Sequence, residues 1–289
     1  MIEIGDRRFR HPFHATGAPL RHGSDPWRNT ASSHLASGAM RGYDERSYGD
    51  GFADVYDDWY PDVSDVDATV ARMVSLAGPG GRVLELGVGT GRLALPMAEA
   101  GLAVTGVDSS HAMLAKLAER DRSGVVEVVC GDMVDALPDG PFDAALVAYN
   151  TIFNLLDEAT QQRCFAAVAD RLAPGGAFVV EAFVPDSSPA AASPTDVSVR
   201  SLTADRVVLS ITVNAPQDQR AEGQFVEFTE SGGVRLRPWS IRWATPEQLD
   251  AMAESAGLTL TDRWEDMTME PFDDDSSAHV SVYLRSDRR

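Results

Sequence analysis

Three glycines stand at alternate positions, Gly87, Gly89 and Gly91, just after a carboxylate at Glu85. Glycines in this rhythm let a backbone turn sharply and approach a ligand with no Cβ in the way. A helix starting at their end would add free N–H groups and a favourable dipole. The chemistry on offer is recognition of a nucleotide-like ligand. A dinucleotide fingerprint would need a third glycine at position 92, where Arg92 stands. A phosphate loop ending in Gly-Lys-Ser/Thr is also absent from this stretch. Two more carboxylates, Asp108 and Asp132, follow further along. A carboxylate can accept from both hydroxyls of a ribose, a charge-assisted arrangement that a neutral side chain matches less strongly.

These residues must be carried by regular elements, and the apolar pattern supplies them. Arg82 to Gly87, Ala103 to Asp108, Val125 to Cys130, Phe142 to Ala148 and Ala177 to Val184 read as five strands. Between them, Gly91 to Ala100, His111 to Arg122 and Glu158 to Leu172 read as helices. Ser109 or Ser110 can cap the second, and Pro174-Gly175-Gly176 stops the third. Strands apolar throughout, alternating with helices, predict an α/β fold with a doubly wound, Rossmann-like parallel sheet covered on both faces. Glu85, Asp108 and Asp132 then fall at successive strand ends, where ligands of such sheets bind.

The pattern breaks at Pro185. A Ser-, Pro- and Ala-rich loop is followed by alternating runs at Val197 to Leu202, Arg206 to Val213, Gly223 to Thr229 and Val234 to Trp243. With polar turns between them, these predict an inserted antiparallel β lobe over residues 185–244, after the fifth strand. A helix at Pro246 to Ala256 and strands at Leu258 to Asp266 and His279 to Arg285 return to the main domain. That makes seven strands in the main sheet. The domain therefore occupies 40–184 and 245–289. Residues 1–39 hold five arginines, four of the six histidines and several Gly and Pro breaks, without an apolar period, and read as a disordered tail.

The motif at Glu85 to Gly91 resembles that of class I S-adenosylmethionine-dependent methyltransferases at every fixed position. Their first motif is Glu/Asp-x-Gly-x-Gly-x-Gly at the end of the first strand. The resemblance covers roughly 40–184 and 245–289 and includes Leu172-Ala173-Pro174-Gly175-Gly176. It implies an S-adenosylmethionine site built from Glu85, Gly87, Gly89, Gly91, Asp108 and Ser109. Asp132 and Met133 would meet the adenine. The aromatic segment Tyr43, Tyr48, Phe52, Tyr56, Trp59 and Tyr60 looks like the opening helix of small-molecule methyltransferases, where Tyr56 would close over the methionine end. Phe52, Tyr56 and Tyr60 recur every fourth residue, which predicts a shared helical face.

The acceptor is expected past the fourth and fifth strands, near Tyr149, Asn150 and Asn154, with Trp239, Arg242 and Trp243 of the lobe also available. Thr151 after Asn150 rules out the Asn-Pro-Pro-Tyr motif of DNA and glutamine methyltransferases. Aminosugar N-methyltransferases are similar here but often carry His where Asn154 stands. His279, Asn154 and Glu181 are candidate catalytic groups, and His111 is a further candidate base. Methyl transfer needs a base only if the nucleophile arrives protonated.

The formal net charge of −19 and the lack of a basic tract after residue 40 argue against a nucleic-acid substrate. An acidic mouth that attracts amines is the sharper reading of the same charge. No apolar run is long enough to cross a membrane, and no secretory h-region is visible. Two cysteines make neither a disulfide framework nor a zinc cluster, so no metal and a cytoplasmic setting are expected. The expected function is methyl transfer to N or O of a small molecule, with secondary metabolism as one setting, by a chain that can form homodimers. The alternatives are a protein or RNA methyltransferase, a noncatalytic S-adenosylmethionine-binding module, and a Rossmann oxidoreductase, which Arg92 disfavours.

Overall fold

A computed structural model describes residues 40–61, 63–186 and 194–286. The expected tail, 1–39, and part of the expected loop at 186–194 lie outside the described residues. The main sheet contains β1 (Arg82–Leu86), β2 (Ala103–Asp108), β3 (Glu127–Cys130), β4 (Phe142–Val147), β5 (Leu172–Phe183), β10 (Leu258–Trp264) and β11 (Ala278–Arg285), in the order β10-β11-β5-β4-β1-β2-β3. Strands β1 to β5 run parallel, and β11 is antiparallel to both β5 and β10. The expected seven-stranded doubly wound sheet is therefore present.

Its helices are α3 (Val66–Ala77), α4 (Ala94–Glu99), α5 (His111–Arg120), α6 (Glu158–Arg171) and α7 (Pro246–Ser255). Successive side chains of β1 enter opposite cores. Val83 joins the layer with Met73 of α3 and Met97 of α4, while Leu84 joins Phe165 of α6. Caps start the helices where side chains allow it. Ser110 accepts from Met113 N at 3.1 Å, so it caps α5, and Ser109 does not. Asp157 caps α6, and Thr245 with Gln248 forms a capping box on α7.

Three features depart from the sequence reading. Helix α3 was not expected, although Asp65 caps it and Gly78 ends it at φ 76°. Strand β5 begins at Leu172, before the Pro-Gly-Gly stretch. Phe142 pairs with Leu172 and Ala144 with Ala177, so residues 173–176 form an irregularity inside the strand. The aromatic segment is not one helix. It divides into α1 (Ser47–Phe52) and α2 (Tyr56–Trp59), so Phe52, Tyr56 and Tyr60 do not share a face.

The lobe is a four-stranded antiparallel sheet, β6 (Thr195–Leu202), β7 (Arg206–Ala215), β8 (Arg220–Thr229) and β9 (Gly233–Arg242), paired in sequence order. One face continues the main core through Val208, Phe225 and Trp239. Phe225 meets the rings of Phe52 and Trp59 edge-on. Arg237 is only 1% exposed and joins three segments. It donates to Gly51 O of α1, to Asp54 at 2.6 Å and to Glu227 of β8 at 2.7 Å. Arg242 similarly reaches Gln161 and Glu158 of α6 and Gln219. Truncating a buried, paired arginine leaves its acids uncompensated. Arg237→Ala is expected to lower the unfolding free energy by about 3–5 kcal/mol in urea titrations. An unchanged midpoint would contradict the role given to this arginine.

Candidate functional site

A cleft of ≈ 750 Å³, open to solvent, runs across the carboxyl ends of β1, β2 and β3. Its floor is the glycine loop. Gly87 has φ 73°, and a Cβ there would collide with the Thr151 methyl. Gly89 has φ 55° and donates its N–H to Asp108 Oδ2 at 2.9 Å. The other oxygen, Oδ1, accepts from Ser110 N at 2.8 Å. Asp108 therefore holds the loop against the start of α5 while lining the cleft. Burial pushes its carboxyl up from the usual range, and the Ser110 and Gly89 amides offset part of that.

Gly131, Asp132 and Met133 form the next wall. Asp132 Oδ1 accepts from Val134 N at 2.8 Å and Asp135 N at 3.1 Å, which fixes the turn after β3. On the far side, Tyr43, Asp44, Glu45, Tyr48 and Tyr56 cover the cleft from the N-terminal segment. This cover is fastened at three points. Ser109 Oγ donates to Glu45 O at 2.8 Å, Ser110 Oγ to Asp50 at 2.6 Å, and Thr90 Oγ1 to Asp57 at 2.7 Å. Arg120 also reaches Asp57 and the Thr90 carbonyl.

Thr151, Asn154 and Leu155 close the remaining end. They sit on a single 3-10 turn, Thr151–Asn154, launched by two left-handed residues, Tyr149 (φ 45°) and Asn150 (φ 65°). Such backbone persists only where its surroundings over-determine it. Here β5 does so. Glu181 Oε2 accepts from Tyr149 N at 2.9 Å, Glu181 O from Asn150 N at 3.0 Å, and Asn150 Oδ1 from Phe183 N at 2.6 Å.

The structure thus gathers Gly87, Gly89, Asp108, Ser109, Asp132, Met133, Tyr56 and Asn154 around one cleft. Gly91 lies behind it, against Leu117. Other expectations are corrected. Asn150 spends its side-chain oxygen on the β5 backbone and does not line the cleft, nor does Tyr149. Trp239 is buried at 3% exposure, its ring against Gly223. Arg242 and its partners tie the lobe to α6 and do not line the cleft. His279 is wholly buried in β11, with Nδ1 2.9 Å from Ser281 Oγ. Burial, and then Arg263, pushes its imidazole down to about 3, so it is a poor base. Glu181 holds backbone and is not in the cleft, and His111 faces Cys130 instead (Nδ1 to Sγ 3.4 Å). The sequence reading did not assign Asp44, Glu45, Thr151 or Leu155 to the site. The only available signal was proximity to the tyrosines and to Asn154.

Glu85 is 3% exposed, and its Oε2 has no hydrogen-bond partner. Burial pushes its carboxyl up to about 8, with Arg92 opposing and Asp108 adding to the rise. Like Gly91, Glu85 is not among the residues that line the cleft, which differs from the expectation that it forms part of the ligand site directly. Among the described residues, no cluster suited to a metal ion is present.

The fold and this cleft define a Rossmann-like nucleoside-binding enzyme of the methyltransferase kind. Comparisons with known proteins sharpen that class. A family model for a methyltransferase domain matches residues 83–176. A cypemycin N-terminal methyltransferase from a Streptomyces species is 32% identical over 188 residues, covering 63% of this chain and 74% of that protein. A phosphatidylethanolamine N-methyltransferase from Cereibacter sphaeroides is 38% identical over 119 residues, covering 39% of this chain and 56% of that protein. The structure of the CcbJ methyltransferase from Streptomyces caelestis superposes with a TM-score of 0.76 at 37% identity, over 84% of this chain and all of that one. The chain belongs to the class I S-adenosylmethionine-dependent methyltransferases, and it is an enzyme of that family.

Glu85 also generates a pH dependence. Its folded pKa, about 8, lies above the ordinary carboxyl value of 4.5, so the folded state holds the extra proton between those values. An acid raised in this way contributes stability at low pH that is lost as pH climbs from about 4.5 to about 8. Glu85→Gln should flatten that part of the stability–pH curve in chemical denaturation. Curves that stay parallel over the whole range would show that Glu85 is ionised in the free protein.

Proposed function

We propose that this enzyme transfers a methyl group to the nitrogen of a small amine, in a reducing compartment such as the cytoplasm. When bound, S-adenosylmethionine supplies an electrophilic methyl on a sulfonium. The reading assigns the ribose to Asp108, the adenine to Asp132 and Met133, and the cationic methionine end to the side of Glu85. Tyr43, Tyr48 and Tyr56 cover the cleft and exclude water from the reacting centre. Asn154 and Thr151 are the polar groups available to orient an acceptor.

One observation carries the choice of nitrogen. Among the described residues, the polar side chains lining the cleft are carboxylates, phenols, Ser109, Thr151 and Asn154, with no histidine, lysine or cysteine. Burial pushes the Tyr56 phenol up to about 12, which makes it a reluctant acid and leaves no phenolate at neutral pH. An alcohol would need a base or a metal to become nucleophilic, whereas an amine needs only to reach the cleft as its free base. The exposed acids Asp44 and Glu45 at the mouth favour arrival of a cationic amine. The names of two relatives, an N-terminal methyltransferase and an N-methyltransferase, agree with this choice. A reducing setting is supported by Cys130 and Cys164, both free thiols. No helix of the described residues is long and apolar enough to cross a membrane.

Calorimetry should detect S-adenosylmethionine or its demethylated product binding, and no binding of NADH. Asp108→Ala should weaken that affinity roughly ten- to hundredfold, the loss of a charge-assisted hydrogen bond. Equal affinity in the variant would reject the ribose role. For a panel of amines, kcat/KM should rise tenfold per pH unit up to the acceptor's own pKa and shift with it. A break near 6.5 common to all acceptors would instead report an enzyme histidine, and turnover of alcohols alone would overturn the nitrogen assignment.

A further inference from the structure

Three arginines of the lobe hold acids. Arg206 pairs with Glu227, Arg235 with Asp54, and Arg237 with both. Their neighbour Arg200 holds no acid among the described residues, although the chain has 44 acidic residues against 25 basic ones. Its Nη2 donates to the Trp59 carbonyl at 3.0 Å. Its Cζ lies 4.8, 5.0 and 5.1 Å from the ring centres of Trp59, Tyr60 and Phe225. The side chain is half-buried, and among the described residues its Nε and Nη1 meet no acceptor. A cation is thus framed by aromatic rings with most of its donors unspent.

The backbone aims Arg200 to this side. Val199 pairs with Leu209 and Ser201 with Val208, so residue 200 is the extra one in a bulge, a device that re-aims side chains. On the same face Ser210 pairs with Ser198 on one side and Phe225 on the other. Ser198 is exposed and Ser210 half-buried, so two accessible hydroxyls share the face with the guanidinium. The cleft is near. Tyr60, which meets Arg200, lies 5.2 Å from the ring of Tyr56, and Tyr56 lines the cleft. The charge reaches the same tyrosines. Burial pushes the Tyr60 and Tyr149 phenols up, and Arg200 opposes both rises.

We propose that Arg200 binds a carboxylate of the acceptor, so that the methylated amine belongs to an amino acid or short peptide. This rests on the nitrogen reading above and narrows it. A guanidinium presents its donors in a planar fork that matches a carboxylate. The three rings hold that plane in advance, so little freedom is lost when the anion arrives. One guanidinium balances a carboxylate monoanion. A phosphate dianion would bring twice the charge to a single cation in a chain of net charge −19. The amine of such an acceptor is cationic on arrival, and the exposed Asp44 and Glu45 line the cleft. The two ends of a zwitterion therefore meet opposite charges, and the acceptor supplies Arg200 with the acid that its lobe neighbours receive from the protein.

Steady-state turnover of paired acceptors by the full chain tests this. The acids are alanine, β-alanine, 4-aminobutyrate and alanylalanine, each set against its amide at equal concentration of free amine, with O-phosphoethanolamine as the phosphate probe. The best acid is expected to exceed its amide in kcat/KM by about ten- to hundredfold, the value of a charge-assisted bond. Arg200→Gln should remove that preference by raising KM for the acid, with a much smaller effect on the amide and S-adenosylmethionine affinity as in the wild type. Arg200→Lys keeps the charge without the fork and should retain part of the preference. Equal use of acids and amides by the wild type would overturn the proposal. An equal loss on both in Arg200→Gln would overturn it too, since a clamp that only holds the cover does not sort acceptors by charge. A preference for O-phosphoethanolamine over every acid would overturn it in favour of a phosphate. Methylation of amides but of no acid would overturn it and leave the nitrogen reading standing, whereas turnover of neither, with S-adenosylmethionine bound, would overturn both.

Discussion

Two backbone hydrogen bonds to one carboxylate organise this molecule. Asp108 accepts from Gly89 N with one oxygen and from Ser110 N with the other. The first bond sets the curvature of the glycine loop at the end of β1. The second sets the first turn of α5. Both are made by a partly buried acid, and a carboxylate accepts such bonds more strongly than a neutral group. The N-terminal cover then hangs on the same place, because Ser110 holds Asp50 and Ser109 holds the Glu45 carbonyl. Removing the charge at 108 would therefore loosen the floor and the cover together. Each oxygen retains acceptor capacity beyond these bonds, which lets one residue both build the cleft and recognise a ligand in it.

The lobe extends this organisation. Its inner face packs Phe225 on the rings of Phe52 and Trp59, and Arg237 clamps α1 to β8 and the segment between the first two helices. Arg200 lies over Trp59 and Tyr60 at 4.8 and 5.0 Å. The cover is thus held from two sides, by polar bonds to the glycine loop and by stacking and ion pairs to the lobe. An insertion after the fifth strand becomes the support for the segment that closes the site.

The strand-ending motif was readable because its demands are local. Only glycine fits the positive φ of Gly87 against Thr151, and a carboxylate at 108 follows from where β2 must stop. The seven-stranded sheet and the antiparallel lobe were readable from apolar period for the same reason. What escaped depends on contacts distant in sequence. Asn150 and Glu181 looked like substrate or catalytic groups, yet they hold a left-handed bend through β5, a role set by pairing 31 or more residues away. His279 looked available beside a loop, but β11 runs between β5 and β10 and buries it completely. The regular spacing of Phe52, Tyr56 and Tyr60 suggested one helix, while the chain breaks at 53–55 so that Tyr56 lines the cleft and Phe52 enters the core.

The central claim is that Asp108, Asp132 and Glu85, at three successive strand ends, form one adenosyl site with the acceptor entering beside Asn154. A crystal structure with S-adenosylhomocysteine tests it most directly. The account predicts the ribose hydroxyls on Asp108, the base beside Asp132 and Met133, and the sulfur facing the tyrosine cover and Asn154. A ligand that leaves Asp108 bonded only to the protein, or that binds outside the cleft, would contradict it.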